Sequence, residues 1–163
     1  MPAQLPNVEG VLENSAEKLV KPGDRIVMVG GRIGKDGIHG ATFSSEALTD
    51  ASPVSAVQIG DPITQKKMID FLLEARDLGL YSSVTDNGAG GLSSSIGEMA
   101  KDCGGGRIEL DKAPLKYPGL DPWEIFVSEA QERMSVAVPP DKLGQFLDLS
   151  RRRGVESSDL REF

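Results

Sequence analysis

Apolar positions along the chain predict strands and helices in alternation. Short apolar or alternating runs, typical of strands, occupy residues 25–29, 55–59, 82–85, 107–110 and 133–138. Helices are predicted over residues 62–78, 92–101, 122–128 and 141–153. This alternation is typical of a mixed α/β sheet covered by helices. Residues 1–22 are framed by prolines and match neither period, so we predict a leader or linker there.

Two helix starts carry specific signals. Asp61 and Pro62 are an N-cap residue followed by a proline in the first turn, which predicts the start of the longest helix. Asp121, Pro122 and Glu124 have the spacing of a capping box, which predicts the start of a shorter helix.

Composition and charge narrow the function. The chain has 18 basic and 25 acidic residues, a net charge of −7, and few aromatic residues (5 Phe, 2 Tyr and 1 Trp). Because a polyanion binder needs a basic field and stacking rings, we predict neither nucleic acid nor a membrane surface as a partner. One cysteine, Cys103, and one histidine, His39, exclude an internal disulfide and a thiolate or multi-histidine metal site built from this chain alone. The predicted location is the cytoplasm, since no membrane-spanning run or signal-peptide core is present.

A glycine-rich loop follows the first predicted strand. It spans residues 30–40 and holds five glycines in eleven residues. A P-loop needs Gly, four residues and then Gly-Lys-Ser/Thr, but Val29 stands where the first glycine is required and Asp36 replaces the hydroxyl residue. His39 in this loop is either a general base or a residue that orients the loop.

A second glycine-rich loop spans residues 86–91. Asp86 ends a predicted strand, and the glycines after it let a backbone approach a ligand closely. The amides of Gly90, Gly91 and Leu92 are then expected to face an anion at a helix N-terminus, and Asp86 is expected to hold Mg²⁺. The alternative is a tight turn in which Asp86 makes an ordinary Asx hydrogen bond.

A group of polar residues follows the short helix: Glu129, Gln131, Glu132 and Arg133. A solvated turn explains this group as well as a binding site does.

Five motifs occur in a fixed order along the chain. They are Gly-Lys-Asp-Gly-Ile-His-Gly-Ala (34–41), Val-Gln-Ile-Gly-Asp-Pro (57–62), Asp-Asn-Gly-Ala-Gly-Gly (86–91), Pro-Trp-Glu-Ile (122–125) and Ser-Glu-Ala-Gln-Glu-Arg-Met (128–134). From residue 21 to residue 163 the chain closely resembles phosphoribosylformylglycinamidine synthase, subunit II, a family of de novo purine biosynthesis. Each motif is weak by itself, and the order and spacing of all five carry the resemblance.

The resemblance implies an α+β fold for residues 23–163. We expect a three-layer α/β/α domain with a mixed sheet that is partly ferredoxin-like, as in the C-terminal domain of aminoimidazole ribonucleotide synthetase.

The resemblance also implies a reaction. The family is an ATP-dependent carbon–nitrogen ligase: ATP activates an amide oxygen of formylglycinamide ribonucleotide, and ammonia from glutamine displaces the phosphate to give the amidine. The implied cofactors are Mg²⁺ and ATP, and the implied partners are the remaining domains of the enzyme and a glutaminase subunit or domain. Because the family's catalytic histidines and main ATP contacts lie in a preceding domain, we expect this chain to be inactive alone.

Site residues follow by position in the motifs. Gln58 resembles a substrate-binding glutamine of the family, and Asp86 resembles a magnesium ligand. Glu129, Ala130 and Gln131 resemble a substrate-binding stretch. Many relatives have Glu-Ser-Gln in that stretch, and Ala130 removes the hydroxyl, which leaves a main-chain contact there.

Two alternatives stand beside this assignment. A sibling of the superfamily, such as an aminoimidazole ribonucleotide, selenophosphate or thiamine-phosphate enzyme, is disfavoured by the motif at 128–134. The other alternative is a stand-alone ligand-binding or assembly domain of the same superfamily without catalysis.

Overall fold

The computed structural model describes residues 19–38, 60–101 and 103–163. The strands there are β1 (Arg25–Gly30), β2 (Ser83–Asp86), β3 (Arg107–Ile108), β4 (Arg133–Val138) and β5 (Ser157–Glu162). The helices are α1 (Pro62–Asp77), α2 (Gly91–Ala100), α3 (Pro122–Val127) and α4 (Leu143–Arg152), with 3₁₀ turns at Leu110–Lys112 and Pro140–Lys142. The strand predicted over 55–59, most of the predicted leader, His39 and Gln58 lie outside the described residues.

The five strands form one sheet in the order β2-β4-β1-β5-β3. Helix α1 connects β1 to β2, and α4 connects β4 to β5. In each case a third strand lies between the connected pair, which makes two interleaved split β-α-β units, the arrangement of ferredoxin-like folds. The elements α2, β3 and α3 are inserted between these units.

The strand directions are not those of the mixed sheet that was expected. All four pairings among the described strands are antiparallel. A connecting helix makes its two strands run the same way, but here β4 separates β1 from β2, and β1 separates β4 from β5. Among the described strands, parallel ones are therefore never neighbours, although the alternation of strands and helices in the sequence is the same as for a parallel sheet.

Each face of the sheet packs against its own pair of helices. One core layer contains Val27, Val29, Val136 and Val138 of the sheet, and Phe71 of α1 meets Phe146 of α4 edge-on with ring centroids 4.9 Å apart. The second layer contains the alternate strand residues with side chains from α2 and α3, among them Ile26, Met28, Leu92, Ile96 and Ile125. The expected three-layer α/β/α fold is confirmed.

Most predicted elements are present within a few residues of their expected ends. Asp61 caps α1 through hydrogen bonds from the Ile63 and Thr64 amides, and the capping box of α3 is formed as predicted. Strand β5 is the exception, because the sequence pattern did not predict it. No helix within 19–38, 60–101 and 103–163 combines the length and the apolar character that a membrane span requires.

Candidate ligand-binding site

A cavity of about 200 Å³ lies where β2 ends and β4 begins. Asp86 at the end of β2 pairs with Met134 in the β-ladder, so these two strand ends are held side by side. The cavity wall is formed by Gln65, Met68 and Ile69 of α1, residues 86–88, and residues 130–134. Three of the predicted site residues, Asp86, Ala130 and Gln131, therefore meet at one cavity.

Asp86 is exposed at the cavity, and its carboxylate makes the Asx turn that was the alternative interpretation. The Gly88 amide donates a hydrogen bond to Asp86 Oδ1 over 2.9 Å. The turn holds the carboxylate at the end of β2 through one oxygen. No group of three or more His, Cys, Asp or Glu side chains suited to a metal occurs in the part of the chain that the structure describes.

Glu129 does not line this cavity. Its carboxylate is buried, and Oε1 accepts a hydrogen bond from the Gly90 amide over 3.1 Å. The Glu129 amide donates to the Asp36 carbonyl over 2.8 Å, and a Cβ on Gly37 would lie 2.6 Å from Oε2. Glu129 thus joins the first glycine-rich loop, the second glycine-rich loop and the turn over 128–131.

The contacts at the α2 N-terminus correct the anion expectation for the Gly90 and Gly91 amides. The Gly90 amide is bonded to Glu129, and the Gly91 amide donates to the Gly88 carbonyl over 2.9 Å. The protein's own carboxylate already occupies the positive end of this helix, where a carboxylate is stabilising. An external anion is therefore not needed to satisfy these amides.

Ala130 and Gln131 are held by hydrogen bonds within the turn over 128–131. Ala130 is buried; its amide donates to Ser128 Oγ and its carbonyl accepts from Arg133 Nε over 2.7 Å. Gln131 is half-buried, and its Nε2 donates to the Glu129 carbonyl over 3.0 Å. The turn is therefore a rigid part of the cavity wall, and not the solvated turn that the sequence left open.

Arg133 is the residue whose position the sequence analysis did not anticipate. Its side chain is only 3% exposed, and its guanidinium donates to the carbonyls of Ala130 and Ser128. Burial lowers the pKa of Arg133 to about 10, and the negative charge of Asp36 partly opposes this lowering. The neighbouring Glu132 also lines the cavity and has a left-handed backbone with a φ of 55°.

Asn87 is held beneath the Asp86 turn by two serines. Its Oδ1 accepts hydrogen bonds from Ser95 Oγ of α2 and Ser135 Oγ of β4 over 2.5 and 2.7 Å. Its Nδ2 is buried without a hydrogen-bond partner in the described ranges. This buried polar cluster, which the sequence analysis did not single out, joins the loop to both neighbouring elements.

Two ion pairs connect the first glycine-rich loop to the rest of the fold. Lys35 Nζ lies 2.9 Å from Glu124 of α3, and Lys116 Nζ lies 3.1 Å from both Asp36 carboxylate oxygens. The hydrogen bond to Glu124 raises the pKa of Lys35. Neither charged side chain of this Gly-Lys-Asp-Gly motif lines the cavity, which agrees with the rejection of a P-loop.

The comparison with known families assigns the fold to a class. Residues 21–160, most of the chain, match the family described as AIR synthase related protein, C-terminal domain. The chain belongs to this family.

Similar proteins of known name narrow the class of protein further. The chain is 43% identical over 148 residues to phosphoribosylformylglycinamidine synthase subunit PurL of Thermotoga maritima, covering 88% of this chain and 24% of that protein. A solved structure of T. maritima PurL complexed with FGAR matches with a TM-score of 0.78 and 39% identity, over 88% of this chain and 24% of that one. T. maritima PurL complexed with ATP matches with a TM-score of 0.73 and 33% identity, over 90% and 23%. The chain thus spans about a quarter of the length of these relatives.

Proposed function

We propose that this chain is a domain of a phosphoribosylformylglycinamidine synthase that binds formylglycinamide ribonucleotide (FGAR) and Mg²⁺ at the cavity between α1, β2 and β4. The observation that carries the proposal is the meeting of Asp86, Ala130 and Gln131 at this one cavity. The similarity to PurL complexed with FGAR supports the same ligand.

The donors present fit a magnesium ion. Asp86 uses Oδ1 in its Asx turn, which leaves Oδ2 as a hard oxygen ligand of the kind that Mg²⁺ prefers. Glu132 brings a second carboxylate to the same cavity. When bound, Mg²⁺ would neutralise negative charge on the ligand's phosphate. In this proposal Asp86 would hold the ion, and Glu132 would supply the second carboxylate of the cavity.

Amide groups supply the polar contacts to FGAR. Gln131 lines the cavity, and its side-chain amide suits the hydroxyls and amides of this ligand. Gln58, which the resemblance assigns to substrate binding, lies outside the described residues. Gly60, two positions after it, is near enough to the cavity that an added Cβ would lie 3.1 Å from Glu132 Oε1. Ala130 then contributes shape, and Glu129 holds the wall in place.

The complete reaction belongs to the larger enzyme. We propose that the parent uses ATP to activate the FGAR amide and that a glutaminase subunit or domain supplies ammonia. The similarity to PurL complexed with ATP supports the nucleotide. Because this chain spans about a quarter of its relatives and the resemblance puts the catalytic histidines in another domain, the chain alone is expected not to form the amidine. The cytoplasmic location stays a prediction.

An exposed apolar patch favours a domain of an assembly over a stand-alone module. Ile108, Leu110, Pro122, Trp123 and Phe126 line a shallow depression, and Trp123 is 53% exposed. Contiguous apolar surface of this kind is typical of a face that packs against another protein surface. The stand-alone alternative predicts a monodisperse monomer, whereas a domain with an open interface is expected to self-associate.

Calorimetric titration of FGAR into this chain, with and without Mg²⁺, tests the proposal. We expect saturable binding that weakens on removal of Mg²⁺ or in Asp86→Ala. Asp141→Ala, an exposed aspartate in the 3₁₀ turn before α4, is the matched control and should bind like the wild type. Absence of binding by a folded chain would contradict a preformed site in this domain.

A further inference from the structure

We propose that Arg133 is a positioning residue of this site, whose guanidinium and main-chain carbonyl together hold the 128–131 turn and the 86–91 loop in one arrangement. The link to ligand binding rests on the proposed function, whereas the coupling of the two segments does not.

The guanidinium is the anchor of the turn. Nε donates to the Ala130 carbonyl over 2.7 Å and Nη2 donates to the Ser128 carbonyl over 2.5 Å. Nη1 lies 3.9 Å from Met28 Sδ, so the third donor group faces the apolar core layer. A planar fork of this kind fixes two carbonyls relative to each other, which a single ammonium group does not do.

The main chain of the same residue anchors the loop. The Asn87 amide donates to the Arg133 carbonyl over 3.1 Å, one residue after the proposed metal ligand. The Ser95 and Ser135 hydroxyls fix the Asn87 side chain from below. Displacement of Arg133 would therefore move the 86–91 loop together with the 128–131 turn.

Glu129 closes the connection from the other side. Glu129 lies in the turn that Arg133 holds, so this turn fixes where its side chain lies in space. Its carboxylate accepts a hydrogen bond from the Gly90 amide. The two segments are thus joined twice, at Asn87 through Arg133 and at Gly90 through Glu129. The first link is at the residue that follows Asp86, and the second ends at Glu129, whose carbonyl accepts a hydrogen bond from the Gln131 side chain.

The environment of Arg133 argues against a purely structural role. A buried cation bonded to neutral carbonyls is costly compared with an apolar side chain of the same size. An apolar residue at the start of β4 would pack against Met28 without that cost, but it would leave the turn without its two donors. The arrangement is explained if the geometry of the turn matters for the ligand.

Amide hydrogen exchange with assigned resonances tests the coupling. In Arg133→Met, exchange of the Asn87, Gly90 and Ala130 amides is expected to accelerate at least about tenfold, while the Leu80 amide, bonded to the Ala75 carbonyl, is unchanged. Arg25→Met removes an arginine that is paired with Asp159 on the other side of β1, and it serves as the matched control. That control should leave all three site amides protected.

A second pair of variants keeps the test decisive if Arg133→Met does not fold. Arg133→Lys retains the positive charge but has a single nitrogen donor group. We therefore expect only some of the Asn87, Gly90 and Ala130 amides to stay protected from exchange in this variant. In Arg133→Ala, added ethylguanidinium should restore the protection of the Asn87 and Gly90 amides from exchange. If the substitution only lowered the global stability, ethylguanidinium would not restore protection at these two amides. Acceleration confined to 128–131, or equal acceleration at Leu80, would overturn the proposal.

FGAR titration then links the coupling to binding. Arg133→Lys is expected to bind about tenfold or more weakly than the wild type, since small displacements of positioning groups have effects of this size. Unchanged affinity in a folded variant would overturn the positioning role. If the wild type itself does not bind FGAR, the proposed function of the isolated chain fails, and the exchange data alone decide whether Arg133 couples the segments.

Discussion

Asp36 follows β1 and Asp86 ends β2, each within a glycine-rich loop. Asp36 is buried and bonded to Lys116, and its loop is tied to α3 by Lys35 and Glu124. Asp86 is exposed at the cavity, and its Oδ1 accepts the Gly88 amide in an Asx turn. The first loop uses its charges to hold the fold, whereas the second leaves a carboxylate exposed at the cavity, where we propose that it meets the ligand. Similar glycine-rich loops can therefore place their carboxylates differently, buried against a lysine in one loop and exposed at the cavity in the other.

Gly91→Ala should have the largest effect, because it attacks the junction between the second loop and the 128–131 turn. Gly91 has a φ of 56°, and an added Cβ would lie 2.1 Å from the Ser128 carbonyl oxygen. Left-handed strain and overpacking together predict a loss of about 3 kcal/mol in the free energy of unfolding, measured by urea denaturation. Gly97→Ala lies in the same helix, and a Cβ there would meet no atom of the other described segments within 4 Å, so it should instead gain about 0.5 to 1 kcal/mol. Equal effects at the two glycines would contradict this account of the junction.

Asp36→Ala should have the next largest effect on stability. It leaves Lys116 without its carboxylate and removes the charge that acts on the buried Arg133. We expect a loss of about 2 to 3 kcal/mol, less than for a fully buried pair because Lys116 is partly exposed. Asp86→Ala, the matched change in the second loop, should lose about 0.5 kcal/mol or less. A comparable loss in both variants would remove the distinction between the loops.

Asp86→Asn separates charge from turn geometry. Asparagine can still accept the Gly88 amide, so the Asx turn and the stability should be kept. FGAR affinity, measured by calorimetry, should fall about tenfold and lose its dependence on Mg²⁺. Asp141→Asn is the control, and retained magnesium dependence in Asp86→Asn would show that this carboxylate does not hold the ion.

Asp61 gives a third use of an aspartate beside glycine, and the smallest expected effect. The Thr64 hydroxyl bond, followed by the Thr64 amide bond, lowers the pKa of Asp61 in its role as the α1 N-cap. Because the pKa of Asp61 is lower in the folded chain, its carboxylate stabilises the fold at pH values above the ordinary pKa of 3.8. This stabilisation is lost as the pH falls through the pKa of the folded state. The stability difference between wild type and Asp61→Asn should therefore shrink from about pH 5 to about pH 2 in urea denaturation. A difference that is independent of pH would contradict the role of the charge.

The layered fold was predictable because its signals are local. Asp61, Pro62 and the capping box at Asp121 and Glu124 indicate where helices begin, and the pattern over 133–138 indicates a strand, of which every residue except Met134 is buried. Strand direction was not predictable from these signals, since interleaved split units and parallel neighbours share the same order of elements. Strand β5 was missed because Leu160 is its only buried residue. Its polar side chains include Asp159, which pairs with Arg25 across the sheet.

The candidate site was predictable in part. Motif order named Asp86, Ala130 and Gln131, which the structure brings to one cavity, and it also named Glu129, whose carboxylate is buried against the Gly90 amide. No local pattern shows that the positive end of α2 is occupied by a residue 39 positions away. The burial of Arg133 is hidden for the same reason, since its position at a charged turn suggests solvent. Long-range contacts of this kind become visible only in the folded chain.

Amide-resolved NMR titration with FGAR in the presence of Mg²⁺ tests whether the second loop, and not the first, faces the ligand. We expect saturable shifts of the Gly88, Gln131 and Glu132 amide resonances around the cavity, with the Lys35 and Gly37 amide resonances unmoved. Shifts centred on Lys35 and Gly37, or no shifts in a chain whose spectrum shows it to be folded, would contradict this expectation.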